Sequence, residues 1–132
     1  MNTGEDIRDY NKTLSAEELA IANALCELIE KHLPLAAGKV WHGHPVWFIG
    51  GNPIVGYSLK KSGIEMLFWS GQSFNASGLR ALGKFKAAAL SVPTLNDLDA
   101  KVIGAYLVEA KAIQWDYENL PKKRELEKLT DF

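Results

Sequence analysis

The sequence has few of the features that mark a secreted or membrane-bound protein. Its single cysteine, Cys26, cannot form an internal disulfide, and no group of cysteines and histidines has the spacing of a structural zinc site. No run reaches the ~18 apolar residues of a membrane span. The segment MNTGEDIRDYNKT over 1–13 carries acidic residues and no apolar stretch, unlike a secretory signal. We therefore expect a cytoplasmic protein without a membrane partner.

Neither sign of charge dominates the chain. Fifteen basic and sixteen acidic side chains give a net charge of -1, so we expect no nucleic-acid partner. With 132 residues, of which 47% are hydrophobic, the chain is typical of one globular domain with one core. It contains no G-x-S-x-G, Walker-type or dinucleotide-binding glycine motif. This favours a binding protein over an enzyme, with no certain cofactor.

The clearest local signal is the start of a helix at Ser15. In LSAEEL the Ser15 hydroxyl can accept from the backbone of Glu18, and the Glu18 carboxylate can accept from the backbone of Ser15, which is a capping box. Apolar residues then recur at helical spacing as far as Pro34. The pattern predicts an amphipathic helix over 16–33.

The pattern then changes to short aromatic and β-branched runs. Between 39 and 70 the runs VWHGHPVWFI, IVGYSL and IEMLFWS are separated by the turn sequences GGNP and KKSG, which predicts a meander of strands. We expect a further strand over 85–92, before Pro93, and a second long helix over 98–117.

This order of elements predicts an α+β fold. We expect an antiparallel sheet of about five strands, covered on one face by the N-terminal and C-terminal helices, with its other face partly open. The domain is predicted to span 15–118. A polar tail over 1–14 precedes it, and a charged tail or short helix over 119–132 follows it.

Aromatic residues are concentrated on neighbouring predicted strands. Strand alternation places Trp47 and Phe48 on opposite faces, and does the same for Phe68 and Trp69. One aromatic of each pair must therefore leave the helix-covered core. These residues form either an aromatic floor for a planar ligand or partner side chain, or ordinary packing under a loop.

Two histidines add polar chemistry to this aromatic region. On a regular strand His42 and His44 would share a face about 7 Å apart, close enough for one ion, but Gly43 and Pro45 also favour two hydrogen-bonded imidazoles at a bend. The candidate ligand-binding residues on strands are Trp41, His42, His44, Trp47, Tyr57, Trp69 and Lys86.

The first helix carries an alternative site. Glu17, Glu18, Glu27 and Glu30 supply the hard oxygen ligands that bind iron or another divalent ion. A solvated face, with Glu27 paired to Lys31 one turn later, is the competing interpretation.

The chain resembles a known family. The segments HGHPVWFIGGNPIVGYSLKKSGIEMLFW, GKFKAAALSV and LVEAKAIQWDY are similar to those of the mostly uncharacterised YdhG-like bacterial domains, over roughly 16–117. The resemblance implies a frataxin-like α+β sandwich. One branch is described as an intracellular iron chaperone that uses acidic residues, which would give Glu17, Glu18, Glu27 and Glu30 that role.

Two hypotheses follow. The first is a non-catalytic module that binds a small molecule or protein partner at an aromatic and histidine sheet face. The alternative is a frataxin-like iron chaperone that acts through the first helix.

Overall fold

The computed structural model describes residues 4–83, 85–118 and 128–129. The fold is α+β, as predicted, with three helices and one antiparallel sheet of six strands. The helices are α1 (Glu5–Asn11), α2 (Ala16–His32) and α3 (Ala100–Ala112). The strands are β1 (Ala37–Trp41), β2 (His44–Ile49), β3 (Asn52–Lys60), β4 (Gly63–Phe68), β5 (Arg80–Ala81) and β6 (Ala88–Val92).

The predicted start of α2 is confirmed. The backbone N–H of Glu18 donates to Ser15 Oγ at 3.3 Å, and the Ser15 N–H donates to Glu18 Oε1 at 2.9 Å. The helix ends at His32, and its buried side faces the sheet with Ile21, Ala22, Leu25, Cys26 and Ile29.

Residues 5–11, within the predicted polar tail, form α1 and pack on the domain. Ile7 is fully buried, and the Asp6 carboxylate accepts a hydrogen bond from the Val40 N–H at 2.7 Å. With Ile7 as its only aliphatic residue, the segment EDIRDYN has no clear helical periodicity. Contacts with β1 and β2 therefore stabilise a helix that local sequence does not indicate.

Val40–Ile49 was predicted as one bent run, and this is wrong. His42 and Gly43, with φ of 53° and 86°, form a two-residue turn that separates β1 from β2. Gly50 and Gly51, with φ of 57° and 84°, form the predicted next turn. Positive φ at both central residues is the pattern of type I′ hairpin turns, which glycine adopts easily and histidine rarely.

The strands are hydrogen-bonded in the order β1-β2-β3-β4-β6-β5. The short edge strand β5 lies between the strand runs predicted over 39–70 and 85–92. Strand β6 is shorter than the predicted run over 85–92, and α3 is shorter than the predicted helix over 98–117.

After α3 the chain crosses one end of the sheet in an extended conformation. Asn52 is buried and holds it there: its Nδ2 donates to the Trp115 carbonyl, while its Oδ1 accepts from the N–H groups of Tyr117 and Glu118. Most of the predicted tail over 119–132 lies outside the described residues. Lys128 forms an isolated bridge with Trp115.

One core lies between the helices and the sheet. All three described helices contribute to it, together with Trp47, Val55, Tyr57 and Phe68 from the strands. We call the side of the sheet that packs on the helices the helix-covered face, and the opposite side of the sheet the open face. None of the helices in the described part of the chain is both long and apolar enough to cross a bilayer.

Candidate functional site on the open face of the sheet

The predicted alternation of the paired aromatic residues is confirmed. Trp47 and Phe68 are fully buried in the core, whereas Phe48 and Trp69 are only partly buried. Residues paired across neighbouring strands point to the same face of the sheet. Trp41 pairs with His44 and Gly56 pairs with Leu67, so the open face extends over β1, β2, β3 and β4. Its members include Lys39, Trp41, His44, Phe48, Ser58, Lys60, Glu65 and Trp69.

Three of these rings form a group that we call the open-face cluster, defined as Trp41, Phe48 and Trp69. The Trp41 ring centroid lies 5.4 Å from that of Phe48, nearly edge to face, and 6.3 Å from that of Trp69. The Lys39 ammonium lies 4.8 Å from the Phe48 centroid, within the range of a cation–π contact. The cluster is an apolar surface with a positive charge at its edge.

Beside the cluster is a small depression of about 100 Å³. Its floor includes Gly56, where a Cβ would collide with the carbonyl oxygen of Pro45 on the neighbouring strand. The Glu65 carboxylate accepts from the Arg80 guanidinium at 2.8 Å, so these charges neutralise each other. The depression is also lined by His44, Ser58, Lys60, Leu67, Trp69 and Leu82.

The two histidines occupy different environments. His42 is exposed in the β1–β2 turn, with its ring centroid 4.3 Å from that of Trp41. His44 lies on β2 at the depression, where burial, and then the charges of Lys60 and His42, lower its pKa. His44 is therefore a neutral imidazole at neutral pH and can both donate and accept a hydrogen bond.

The structure places the side chains of Trp47 and Tyr57 in the core on the helix-covered face, away from the open-face cluster. Trp47 is 0% exposed, and its indole lies under Gly38 with its Nε1–H lacking an acceptor among the described residues. Tyr57 borders the depression, but its hydroxyl is in the core, where it donates to Asn11 Oδ1 at 2.5 Å. Both residues alternate toward the helices, and the indole of Trp47 and the ring of Tyr57 pack on each other.

Lys86 is also placed elsewhere. Its ammonium lies 4.7 Å from the Trp115 ring centroid, and its N–H donates to the Tyr117 hydroxyl at 3.0 Å. Lys86 therefore contacts the segment that follows α3, and the prediction that it joins the ligand site is not supported by these contacts.

The four glutamates of the alternative metal site are not assembled. Glu18 is engaged in the capping box, and Glu17 Oε2 accepts from the Leu95 N–H. Glu27 and Glu30 lie roughly 15 Å further along the helix at 1.5 Å per residue. Among the described residues no three His, Cys, Asp or Glu side chains are grouped to hold an ion, and Glu27 does not form the predicted pair with Lys31.

The site also contains residues that were not predicted to belong to it. Phe48 is the outward member of a predicted pair, and its role follows from applying alternation through β2. Lys39 precedes Trp41 by two residues, and Lys60 follows Ser58 by two, so each pair shares a face of its strand. Arg80 could not be predicted, because β5 has no recognisable strand pattern.

Comparisons of the chain with protein-family models, curated proteins and solved structures found no match. The YdhG-like and frataxin-like assignments therefore stay predictions. The case for a function depends on the geometry of the open face.

Proposed function

We propose that this protein is a non-catalytic binding module whose open face receives a planar aromatic group that carries an acidic substituent. The observation that carries the proposal is the open-face cluster, in which the Trp41 ring contacts both Phe48 and Trp69 on the side of the sheet away from the described helices. Rings on such a face offer stacking area to a flat ligand.

The charges next to the cluster favour an acidic substituent. Lys39 lies at the cluster and Lys60 lines the depression, while the nearby Glu65 is paired with Arg80. Neutral His44 adds a hydrogen-bonding group at the edge. The depression is smaller than the roughly 300 Å³ of an enclosing ligand pocket, so the ligand lies flat across the face.

The environment of the single cysteine, Cys26, favours binding over catalysis. Cys26 lies on the buried side of α2, and burial is the main cause that raises the pKa of its thiol. The protonated thiol is a poor nucleophile.

Titration with 2-naphthoate, followed by nuclear magnetic resonance, tests the proposal. The chain has four indole N–H groups: two in the open-face cluster, that of Trp47 in the core, and that of Trp115, which donates to Ser73. We expect saturable shifts at Trp41 and Trp69 and little change at Trp47 and Trp115. Cyclohexanecarboxylate has the charge without the planar ring and should bind more weakly.

Two variants complete the test. Trp41→Ala should abolish the shift at Trp69, while Leu95→Ala, an exposed apolar residue outside the cluster, should leave it unchanged. Equal shifts at all four indoles, or no saturable shift, would contradict the proposal. A second arm uses neutral N-acetyltryptophanamide: tighter binding of this probe would assign the face to a protein partner's aromatic side chain.

A further inference from the structure

A larger cleft lies on another part of the molecule. It has a volume of about 470 Å³, which is within the range of small-molecule sites. The turn after α2, the end of β2 and the last turns of α3 form its walls, and no member of the open-face cluster lines it. Its described lining residues are Leu35, Ile49, Val108, Lys111, Ala112 and Gln114.

Two of these residues are unusually exposed. Leu35 is 82% exposed and Val108 is 59% exposed, the two highest values among the large apolar side chains of the described residues. A single exposed leucine or valine is common on protein surfaces. Here both line one cleft together with Ile49 and Ala112, which makes a continuous apolar surface that a ligand can remove from water.

The described lining of the cleft has two polar side chains, those of Gln114 and Lys111, and the Lys111 ammonium is the one that can contact a ligand. The Gln114 side chain cannot, because its Nε2 donates to the Lys111 carbonyl at 2.9 Å and its Oε1 is buried. The Lys111 ammonium is exposed, and no described carboxylate forms an ion pair with it.

The adjoining surface is also positive. A groove between α2 and α3 shares Val108 with the cleft and is lined by Lys31, His32 and Lys101. No acidic residue is among the described residues that line either the cleft or this groove. The local charge therefore favours an anion although the whole chain has a net charge of -1.

We propose that this cleft binds an anionic amphiphile. Its apolar chain lies between Leu35 and Val108, and its carboxylate or comparable acidic group lies near the Lys111 ammonium. The cleft shares no lining residue with the open-face cluster, and the proposal does not depend on the function proposed above.

The test uses sodium decanoate below its micelle-forming concentration and the full chain, observed by nuclear magnetic resonance. Saturable shifts are expected at the backbone amides of Leu35, Ile49, Val108 and Ala112. Decyltrimethylammonium has the same chain with the opposite charge and should bind much more weakly.

Matched substitutions on α3 separate the cleft from general surface binding. Val108→Gln should weaken decanoate binding about tenfold, the effect of losing one buried valine side chain. Val102→Gln changes an exposed valine outside the cleft and should have no effect. Lys111→Gln should weaken binding about two- to fivefold, as for an exposed ion pair, and Lys101→Gln, in the adjoining groove, should have a smaller effect.

Three outcomes would overturn the proposal: no saturable shift, equal binding of the cationic amphiphile, or unchanged binding in Val108→Gln. Trp41→Ala should leave decanoate binding intact, so failure at the open face and failure at this cleft are distinguishable.

Discussion

Trp41 and Trp47 lie in the same eight-residue stretch, VWHGHPVW, yet they face opposite sides of the sheet. Trp47 is fully buried against the ring of Tyr57, while Trp41 is partly buried and packs on Phe48 and Trp69. Residue type is identical, so strand position alone assigns one indole to the core and the other to a candidate site. An aromatic-rich segment indicates a binding surface only after each ring has been assigned to a face.

The polar groups of the two faces also differ in their burial. On the helix-covered face the hydroxyl of Tyr57, the amide of Asn11 and the thiol of Cys26 hydrogen-bond to one another away from water. On the open face the ion pair of Glu65 and Arg80 remains partly exposed. The first group stabilises one arrangement of α1 against the sheet, while the second is screened by solvent and contributes little to folding.

The largest expected effect comes from truncating the two tryptophans. Trp47→Ala should lower the free energy of unfolding by about 3 to 5 kcal/mol, because it leaves a cavity in the core. Trp41→Ala should cost about 1 to 3 kcal/mol, from two aromatic pairs at about 0.5 to 1.5 kcal/mol each. Urea unfolding of both variants measures the difference.

Trp47→Phe is the informative control, because it keeps a ring and removes the Nε1–H that has no described acceptor. It should be clearly more stable than Trp47→Ala. Equal losses in Trp41→Ala and Trp47→Ala would show that the two faces are not distinct, and the assignment of the open face would then be wrong.

The fold class could be predicted from local sequence patterns. Such patterns do not identify elements that tertiary contacts stabilise. The capping box at Ser15 and the turn at Gly50 and Gly51 have mechanisms that operate within a few residues. Helix α1 and the edge strand β5 show no such local signal: contacts with β1 and β2 hold α1 in place, and pairing with β6 holds β5.

The candidate site was predictable in part for a related reason. Alternation correctly placed the two members of each aromatic pair on opposite faces, but sequence alone did not show which face the helices cover. The candidate list therefore included Trp47, which lies in the core, and omitted Phe48, which lies on the open face. The turn at His42 was missed because a histidine with positive φ is uncommon.

A smaller effect is expected from Tyr57→Phe, which tests the buried polar group. The substitution leaves the buried Oδ1 of Asn11 without its donor and should lower the free energy of unfolding by about 1 to 3 kcal/mol. Tyr10→Phe is the matched control, since among the described residues the Tyr10 hydroxyl accepts a single 3.3 Å bond, from the exposed Leu59 N–H. Similar losses of unfolding free energy in both variants would mean that burying the hydrogen bond between Tyr57 and Asn11 adds nothing to its contribution to stability.

The smallest effect is the pH dependence contributed by His44. Its pKa is lowered in the folded protein, first by burial, so the unfolded chain takes up the proton more readily. The stabilisation from neutral His44 is therefore complete above the ordinary histidine pKa of about 6.5. It is lost progressively as the pH falls from there toward the lowered value.

Denaturant unfolding at a series of pH values between about 7.5 and 5 tests this sign, because the interval spans the ordinary histidine pKa. The wild type should lose stability as the pH falls, and His44→Gln should show a shallower decline since that side chain no longer titrates. His42→Asn, a substitution that accepts positive φ, removes only the smallest cause of the lowered His44 pKa and should keep most of the decline. Identical slopes in the wild type and His44→Gln would mean that His44 is as well solvated as an exposed histidine, and the open face would lose the neutral imidazole on which its hydrogen-bonding edge depends.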